Sequence, residues 1–426
     1  MSYRGDGLGF PDAIASFRAD ELRRCMLHLH DEEYVGPPLQ TFFHDGRAPQ
    51  LRAMVLEFPP YLPHNHFPAL THIILKCSAA ASFSFQNLLA FLSGCPALQV
   101  LHVMIASTSS MQAPSTPPPP RSCPQLQHLQ KFSVVALTRT HNLPGQTTST
   151  LPHALLSSIV FPPQCLIYIC PLIPTDTCTF VGCMSTPATL SSMRVVGAMP
   201  SNSAQSGPVP VTFTLVQPSE SRGVRYDISL GSHDEDAEAV KWSIRLTMAA
   251  SPFFSAIREL WVGTGAIGLL CGTQDSILRS LPRLGYLSVG SSSLEIKGLY
   301  DVLAVLSAVY VQGDALVCPK LDTLSIIAFV PANQEHLVGR VRHVLAMRKD
   351  LGSPLTHLAL SLDFEPEGKA LVEARTLGAL VERFALNDPE VTDLTADIEW
   401  ERYWEDRVPA GCGAADEIRD HWPIWT

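Results

Sequence analysis

The sequence predicts an α/β fold in which a parallel sheet gains one strand and one helix with each repeat. Three observations support this prediction. A short leucine-rich phrase recurs along the chain, segments of helical periodicity separate several of its copies, and the copies are spaced similarly within each half. The 426 residues, 46% of them apolar, are enough for one long, continuous core.

The recurring phrase is a Pro or Cys-Pro, one residue, and then Leu-x-x-Leu-x-Leu or a close variant. Proline ends a preceding helix, and the last two apolar positions of the phrase lie two residues apart, so they point to one face of a strand. Each copy therefore predicts a short strand with one buried side. Seven good copies begin at Pro49, Pro68, Cys95, Cys123, Pro282, Cys318 and Pro354, and a weaker one begins at Val391.

Segments with helical periodicity lie between several of these strands. In Glu335 to Met347, for example, Leu337, Val341, Val344 and Leu345 recur at the i, i+4, i+7, i+8 spacing of one helix face. Further helices are predicted at Phe85 to Leu92, Gly298 to Tyr310 and Gly368 to Phe384, and one in the N-terminal segment at Phe17 to His30.

The spacing of the copies indicates the architecture. Successive first leucines are 19, 28 and 28 residues apart from Leu51 to Leu126, and 37 and 34 apart from Leu284 to Leu355. These values bracket the ~20–29 residues of a leucine-rich repeat, with longer helices in the second half. We predict a leucine-rich-repeat-like solenoid, an irregular horseshoe with a parallel sheet.

The pattern divides the chain into five segments. These are a helical cap (1–45), repeats (46–139), a divergent insertion of low charge, ordered or partly disordered (140–209), further repeats (210–400) and a Trp-rich acidic tail (401–426).

Asp176 is the only charged residue from Thr140 to Met193. This stretch is either an ordered insertion or sequence foreign to the solenoid, such as a translated intron. Strand-like phrases resume at Val211, Tyr226, Trp242 and Ile257, which predicts that the solenoid continues through them.

Several of these segments resemble the leucine-rich-repeat portion of F-box proteins abundant in mushroom-forming fungi. The resemblance rests on the Cys-Pro-x-Leu-x-x-Leu-x-Val phrases, the Ser353 to Leu360 copy and the tail from Glu399 to Trp425. It implies substrate recognition in a ubiquitin-ligase context, where an F-box docks a Skp-type adaptor. Residues 1–50 contain no Leu-Pro-x-Glu-x-Leu opening of an F-box, so adaptor binding would require an F-box outside this sequence.

Composition limits the classes of partner. The formal net charge is −10 and the Lys and Arg residues are scattered, whereas a polyanion-binding surface needs them clustered. No apolar stretch approaches the ~20 residues of a membrane-spanning helix, and no secretory signal is recognisable. Eleven cysteines without disulfide-framework spacing suit a reducing compartment. We therefore expect a protein partner, no nucleic acid and no membrane, in the cytoplasm or the nucleus.

No catalytic set is recognisable, and we expect neither an enzyme nor a cofactor. Gly263 to Gly268 matches G-x-G-x-x-G but lacks the acidic residue about 20 positions later that a dinucleotide site needs. A nucleotide-dependent enzyme using this turn is the alternative, and a mispredicted, non-functional gene product is a third possibility. The cysteine cluster Cys165, Cys170, Cys178 and Cys183 is spaced too widely for a typical zinc knuckle.

Other clusters predict packing rather than ligand chemistry. His28 and His30 are two residues apart in a predicted helix, which puts them on different faces, and His64 with His66 gives a weak pair. Cys95, Cys123 and Cys318 occupy the same repeat position, which indicates small buried packing residues.

Alternation separates core positions from the opposite face of the sheet. The predicted core comprises Leu51, Met54, Leu56, Leu70, Ile73, Leu75, Leu98, Leu101, Val103, Leu284, Leu287, Val289, Leu321, Leu324, Ile326, Leu355, Leu358 and Leu360. The intervening positions face the concave side, which is the predicted partner-binding surface. Its candidate binding residues are His72, Lys76, His102, Tyr286, Ser288, Thr323, Ser325, His357 and Ser361.

Overall fold

The computed structural model describes a large part of the chain. The described ranges are 2–4, 14–28, 41–57, 59, 61–77, 85–105, 124–136, 155, 158–162, 165–172, 192–197, 209–217, 222–230, 254–263, 266–271, 276–291, 296–308, 316–328, 334–362 and 368–386.

The described residues form an α/β fold around one hydrogen-bonded sheet of fifteen strands. In chain order the strands are β1 (Ser2–Arg4), β2 (Arg24–His28), β3 (Ala53–Glu57), β4 (His72–Cys77), β5 (Val100–Ile105), β6 (Lys131–Ala136), β7 (Leu166–Leu172), β8 (Ser192–Gly197), β9 (Val209–Gln217), β10 (Arg222–Leu230), β11 (Glu259–Val262), β12 (Tyr286–Ser291), β13 (Thr323–Ala328), β14 (His357–Leu362) and β15 (Arg383–Leu386).

Two parallel runs of strands make up most of the sheet. Strands β1 to β7 follow one another in sequence order and are parallel, and so do β11 to β15. Each of the seven good leucine-rich phrases lies in or directly before one of these strands. The prediction of an α/β fold with a parallel sheet is thus confirmed for both halves.

The centre of the sheet departs from the predicted parallel series. There the order is β7-β10-β9-β8-β11, and β9 pairs antiparallel with both β8 and β10. Only residues 218–221 connect β9 to β10, which is too short for a parallel crossover of about a dozen residues. The strand-like phrases at Val211 and Tyr226 therefore form a hairpin instead of two further parallel repeats, and the phrase at Trp242 lies outside the described residues.

Among the described residues, where residues 14–16 are also helical, four α-helices are nine residues long or longer. They are α1 (Phe85–Ser93), α2 (Ile296–Ser307), α3 (Gln334–Asp350) and α4 (Gly368–Leu377). The second and third pack against one another, as do the third and fourth. The described parts of the other connections contain short helical pieces, such as residues 14–16 and the 3₁₀ turn Ile277–Ser280, so the predicted one helix per repeat holds only in part. No helix within the described ranges has both the length and the apolar content to cross a bilayer.

At the two ends of the sheet, one predicted helix is wrong and another is predicted too long. Residues 24–28 of the predicted helical cap form β2, in which Cys25 and Leu27 alternate inward and pair in register with β3. The helix predicted from Gly368 to Phe384 ends at Leu377, because the chain passes through the 3₁₀ turn Gly378–Leu380 into β15. The weaker phrase at Val391 lies outside the described residues.

All eighteen predicted core side chains are buried. The strand register corrects the alignment of the fourth phrase. Leu101 pairs with Phe132, so the residue equivalent to Leu98 is Leu129, three positions after the Leu126 that the phrase predicts. Both Leu126 and Leu129 are buried. The spacing in the first half is therefore more irregular than the phrase alone indicates.

A backbone hydrogen-bonding pattern recurs before the strands of both halves. The carbonyl oxygen of Arg52 accepts from the amides of Thr71 (2.8 Å) and His72 (2.9 Å). The carbonyl oxygen of Arg258 accepts likewise from Gly285 (2.8 Å) and Tyr286 (3.0 Å). Each pair links one strand start to the equivalent position of the next strand, which fixes the register of neighbouring strands.

Aromatic rings connect the first loops of the sheet. Phe67 lies between Phe43 and Phe91, with ring centroids 6.3 Å away on each side in edge-to-face geometry. Phe17 extends this ladder at 6.4 Å from Phe43. Edge-to-face pairs add stabilisation beyond burial itself. This ladder joins the loops before β3 and β4 to helix α1.

Asn65 joins the same loops through polar contacts. Its Oδ1 accepts from the Phe42 amide (2.6 Å), and its Nδ2 donates to the carbonyl oxygens of Phe42 and Gly46 (2.7 Å each). A Cβ on Gly94 would lie 2.6 Å from the Asn65 carbonyl oxygen, so only glycine fits where α1 ends. Buried backbone groups of an irregular segment are thereby satisfied.

Candidate functional site

The open face of the sheet is defined here by the strand positions that alternate with the buried core positions. Because neighbouring strands are paired in register, these side chains form rows across the sheet. Neighbouring residues within one row lie on strands about 4.8 Å apart. In the second half, one row contains Glu259, Tyr286, Thr323, His357 and Arg383. The next row contains Trp261, Ser288, Ser325, Ala359 and Ala385.

The candidate residues of the second half therefore lie together. Tyr286, Thr323 and His357 are direct neighbours in one row, and Ser288 pairs with Ser325 in the next. Ser361 pairs with Ile327 in a third row, two residues further along β14. Ser288 and Ser325 are buried, while Tyr286, Thr323, His357 and Ser361 keep partial exposure.

An aromatic and hydroxyl cluster forms on this face, here called the aromatic cluster: Trp261, Tyr286, Ser288 and Ser325. The Trp261 and Tyr286 rings are 4.6 Å apart at an interplanar angle of 36°. The Tyr286 hydroxyl hydrogen-bonds with both serines, and burial raises the pKa of Tyr286, so the phenol stays neutral. Trp261 Nε1 is buried and has no hydrogen-bond partner among the described residues.

Trp261 was missed by the sequence analysis as a binding residue. The signal was present, because Leu260 and Val262 are core residues and the position between them must face the other side. The phrase at Ile257 had been assigned only as a strand, without a register to its neighbour. Pairing of Trp261 with Ser288 supplies that register.

In the first half, three rows cross strands β3 to β6. The first contains His72, Val100 and Lys131, and the second contains Ile74, His102 and Ser133. The third contains Glu57, Lys76 and Met104. The predicted residues His72, Lys76 and His102 therefore lie on one face, on two adjacent strands, and the structure adds Lys131 and Ser133 to them.

The charges of this region are constrained by burial. Lys76 forms an ion pair with Glu57. Burial lowers the pKa of Lys131 to about 8 and also lowers the pKa of His72. Burial, followed by the charges of Lys131 and Lys76, lowers the pKa of His102 to about 4. His102 is thus a neutral imidazole at neutral pH.

A Thr-His pair recurs at the start of β4 and of β14. Thr71 Oγ1 lies 2.9 Å from the Arg52 carbonyl oxygen and 2.8 Å from His72 Nδ1. Thr356 makes the same contacts with the carbonyl of Asp322 (3.2 Å) and with His357 Nδ1 (2.7 Å). A hydroxyl has one proton, so if the carbonyl receives it, Nδ1–H must donate to Oγ1. This geometry favours the same tautomer for both histidines, with an acceptor lone pair on Nε2.

The remaining sequence candidates do not assemble into a site among the described residues. Strand β11 is followed by the three-residue 3₁₀ turn Ile267–Leu269, not by the helix that a dinucleotide site places at its third glycine, and residues 264–265 are not described. His64 and His66 are exposed in an irregular segment. Within the described part of the chain, no three His, Cys, Asp or Glu residues could jointly hold a metal ion.

The cysteines that are described behave as packing residues. Cys95 Sγ donates to the Phe91 carbonyl oxygen (3.4 Å) and Cys318 Sγ to that of Leu278 (3.1 Å). Burial raises the pKa of each thiol to about 12, which keeps it protonated and unreactive. Cys165 is also buried, whereas Cys123, Cys178 and Cys183 lie outside the described residues, as does the side chain of Cys170.

Comparison with known proteins adds no relative to this description. No protein-family model, no curated protein and no solved structure matches the chain. The function is therefore argued from the geometry of the open face.

Proposed function

We propose that the chain is a non-enzymatic, leucine-rich-repeat-like solenoid that binds a protein partner across the open face of its sheet. The sequential parallel strands and the recurring backbone link before them support the repeat assignment. Recognition of a ubiquitin-ligase substrate in the cytoplasm or nucleus would be one form of this role, and it rests on the sequence resemblance and composition alone.

The aromatic cluster is the observation that carries the proposal. Trp and Tyr are the residue types most enriched at binding hot spots, because each combines a large apolar area with one polar group. Trp261 offers an indole N–H that lacks an acceptor among the described residues, and a buried donor left unmatched costs about 1–3 kcal/mol. A partner carbonyl would remove that cost. Partial exposure of the Trp261 side chain leaves ring surface for contact.

Replacing Trp261 by alanine is expected to weaken partner binding at least 30-fold, since a hot-spot truncation costs about 2 kcal/mol or more. Trp261→Phe keeps a ring and removes the N–H, so about a 5-fold loss is expected, equivalent to about one hydrogen bond. The partner is first isolated with the wild-type chain, identified and purified. Dissociation constants are then measured by calorimetry.

The matched control is Val372→Ala, which truncates an apolar side chain that is 63% exposed on α4. Its affinity for the same purified partner is expected to equal that of the wild type. Far-UV circular dichroism checks that each variant is folded. If Trp261→Ala and Tyr286→Ala both fold and bind the partner like the wild type, the proposed role of the open face is wrong.

A further inference from the structure

We infer that the first half of the open face binds a carboxylate side chain of an acidic protein segment, at a basic patch made of Lys76, His102, Lys131 and Ser133. This inference rests on the proposed protein-binding function and adds the chemistry of the partner. It concerns a region separate in sequence from the aromatic cluster, and the two can therefore be tested separately.

Sheet geometry brings the four side chains together. Lys131 and Ser133 lie two residues apart on β6 and face the same side. His102 on β5 pairs directly with Ser133, and Lys76 on β4 lies one row away from Ile74, the other neighbour of His102. Adjacent and diagonal positions of this kind are about 5–8 Å apart, within reach of one bound side chain and its neighbours.

Charge complementarity favours an anionic occupant. The charged side chains at the described open-face positions of β3 to β6 are Glu57, Lys76 and Lys131. Two lysines and one glutamate give these positions a net positive charge, although the whole chain has a formal net charge of −10. Burial lowers the pKa of Lys131, and an ammonium that is partly withdrawn from water gains more from an approaching anion than a solvated lysine does.

The buried hydroxyl of Ser133 is a second, independent observation that supports a bound carboxylate. Its side chain is fully buried, and its Oγ has no hydrogen-bond partner among the described residues. A hydroxyl in that state lacks an acceptor for its proton. A carboxylate beside Lys131 would supply one oxygen to the ammonium and could offer the other to the hydroxyl.

A carboxylate suits this patch better than a phosphate. Phosphate recognition typically uses the bidentate fork of arginine or several cations, and the described open-face positions of β3 to β6 provide two lysines and one glutamate. His102 is neutral, so it adds hydrogen-bonding capacity but no charge. One carboxylate from an Asp or Glu of the partner carries a single negative charge, which matches the small net positive charge of these positions.

The test uses the purified full-length chain and a defined probe. An array of random 12-residue peptides carries Glu or Asp at the central position, a second array carries Gln or Asn there, and a third carries phosphoserine. The wild-type chain is expected to bind the best acidic peptides at least 10-fold more tightly than their amide counterparts. Raising the salt concentration should reduce that preference.

Lys131→Met is expected to abolish the preference for acidic peptides, and Ser133→Ala to reduce it about 3-fold. Lys320→Met, an exposed lysine before β13, is the matched control and should keep the wild-type preference. Thermal unfolding establishes that each variant is folded. If Lys131→Met proves unfolded, Lys131→Gln and Lys131→Arg replace it, with loss expected for Gln and retention for Arg.

Any one of the following three results with the peptide arrays would overturn the inference, as would a failure to bind any peptide. These are equal binding of acidic and amide peptides by the wild type, retained preference in a folded Lys131→Met or Lys131→Gln variant, and a preference for phosphoserine over Glu. None of these results bears on Trp261 and the protein partner, so the proposed function fails only by its own experiment.

Discussion

Replacing Arg348 by methionine is expected to lower the free energy of unfolding by about 3 kcal/mol. Arg348 lies in the last turn of α3 and is completely buried. Its guanidinium donates to the carbonyl oxygens of Val317 (3.0 Å), Cys318 (2.9 Å) and Leu321 (3.4 Å). Methionine fills a similar volume but removes all three of these hydrogen bonds, and the Cys318 carbonyl then keeps only the bond that it accepts from the Leu321 amide (3.0 Å).

The turn that Arg348 binds is itself strained. Cys318 has a φ of 48°, a left-handed conformation that a residue with a Cβ rarely adopts. Hydrogen bonds from a charged donor hold this turn in place, and the turn leads directly into β13, which carries Thr323 and Ser325. Loss of Arg348 should therefore loosen the second half of the open face as well as destabilise the chain.

Urea unfolding followed by circular dichroism measures this effect. Lys349→Met is the matched control, because Lys349 is the next residue, is exposed and should change stability by less than about 0.5 kcal/mol. The loss of stability in Arg348→Lys should lie between those of Lys349→Met and Arg348→Met. A lysine ammonium lacks the planar guanidinium that reaches several carbonyls at once. Equal stability of the Arg348→Met variant and the wild type would contradict the assigned role of the guanidinium.

Truncation of Phe67 to alanine is expected to cost about 4 kcal/mol, within the range for removing a fully buried phenylalanine. The ring contacts Phe43 on one side and Phe91 on the other, so its loss leaves a cavity and breaks the aromatic ladder at its centre. The loops before β3 and β4 should then unfold more easily than the strands of the second half.

Hydrogen exchange and urea unfolding together check this prediction. Amides of β3 and β4 should exchange faster in Phe67→Ala, while those of β13 and β14 should change little. Phe17→Ala, at the partly buried end of the ladder, should show a smaller loss of stability. A uniform increase of exchange over both halves would argue against a local role for the ladder.

Alternation of apolar residues made much of the fold predictable. A phrase such as Leu98-x-x-Leu101-x-Val103 specifies both a strand and its buried side, because strand side chains alternate at a fixed period of two. The same argument assigned His72, His102, Tyr286 and Ser325 to the opposite face before any pairing was known. Register between strands follows from equivalent positions in successive phrases, except at the fourth phrase, where the predicted alignment is three residues early.

Three features of the fold and the site depend on strand pairing between distant residues, which the local sequence pattern does not specify. The segment of β2 is compatible with a helix by local pattern, and only its parallel pairing with β3 makes it a strand. The hairpin of β9 and β10 depends on a short connection within a region of low charge. Lys131 was missed because the fourth phrase had been aligned three residues early, which hid its place beside His72 and His102.

Site-specific photocrosslinking tests most directly whether the open face binds the protein partner. A photoreactive phenylalanine analogue is placed at Thr323 or His357 on the open face, and at exposed Arg283 or Val372 elsewhere. In the complex with the purified partner, Thr323 and His357 should crosslink to it, and Trp261→Ala should suppress both products. Crosslinks from Arg283 or Val372, with none from the open face, would contradict the proposed binding surface.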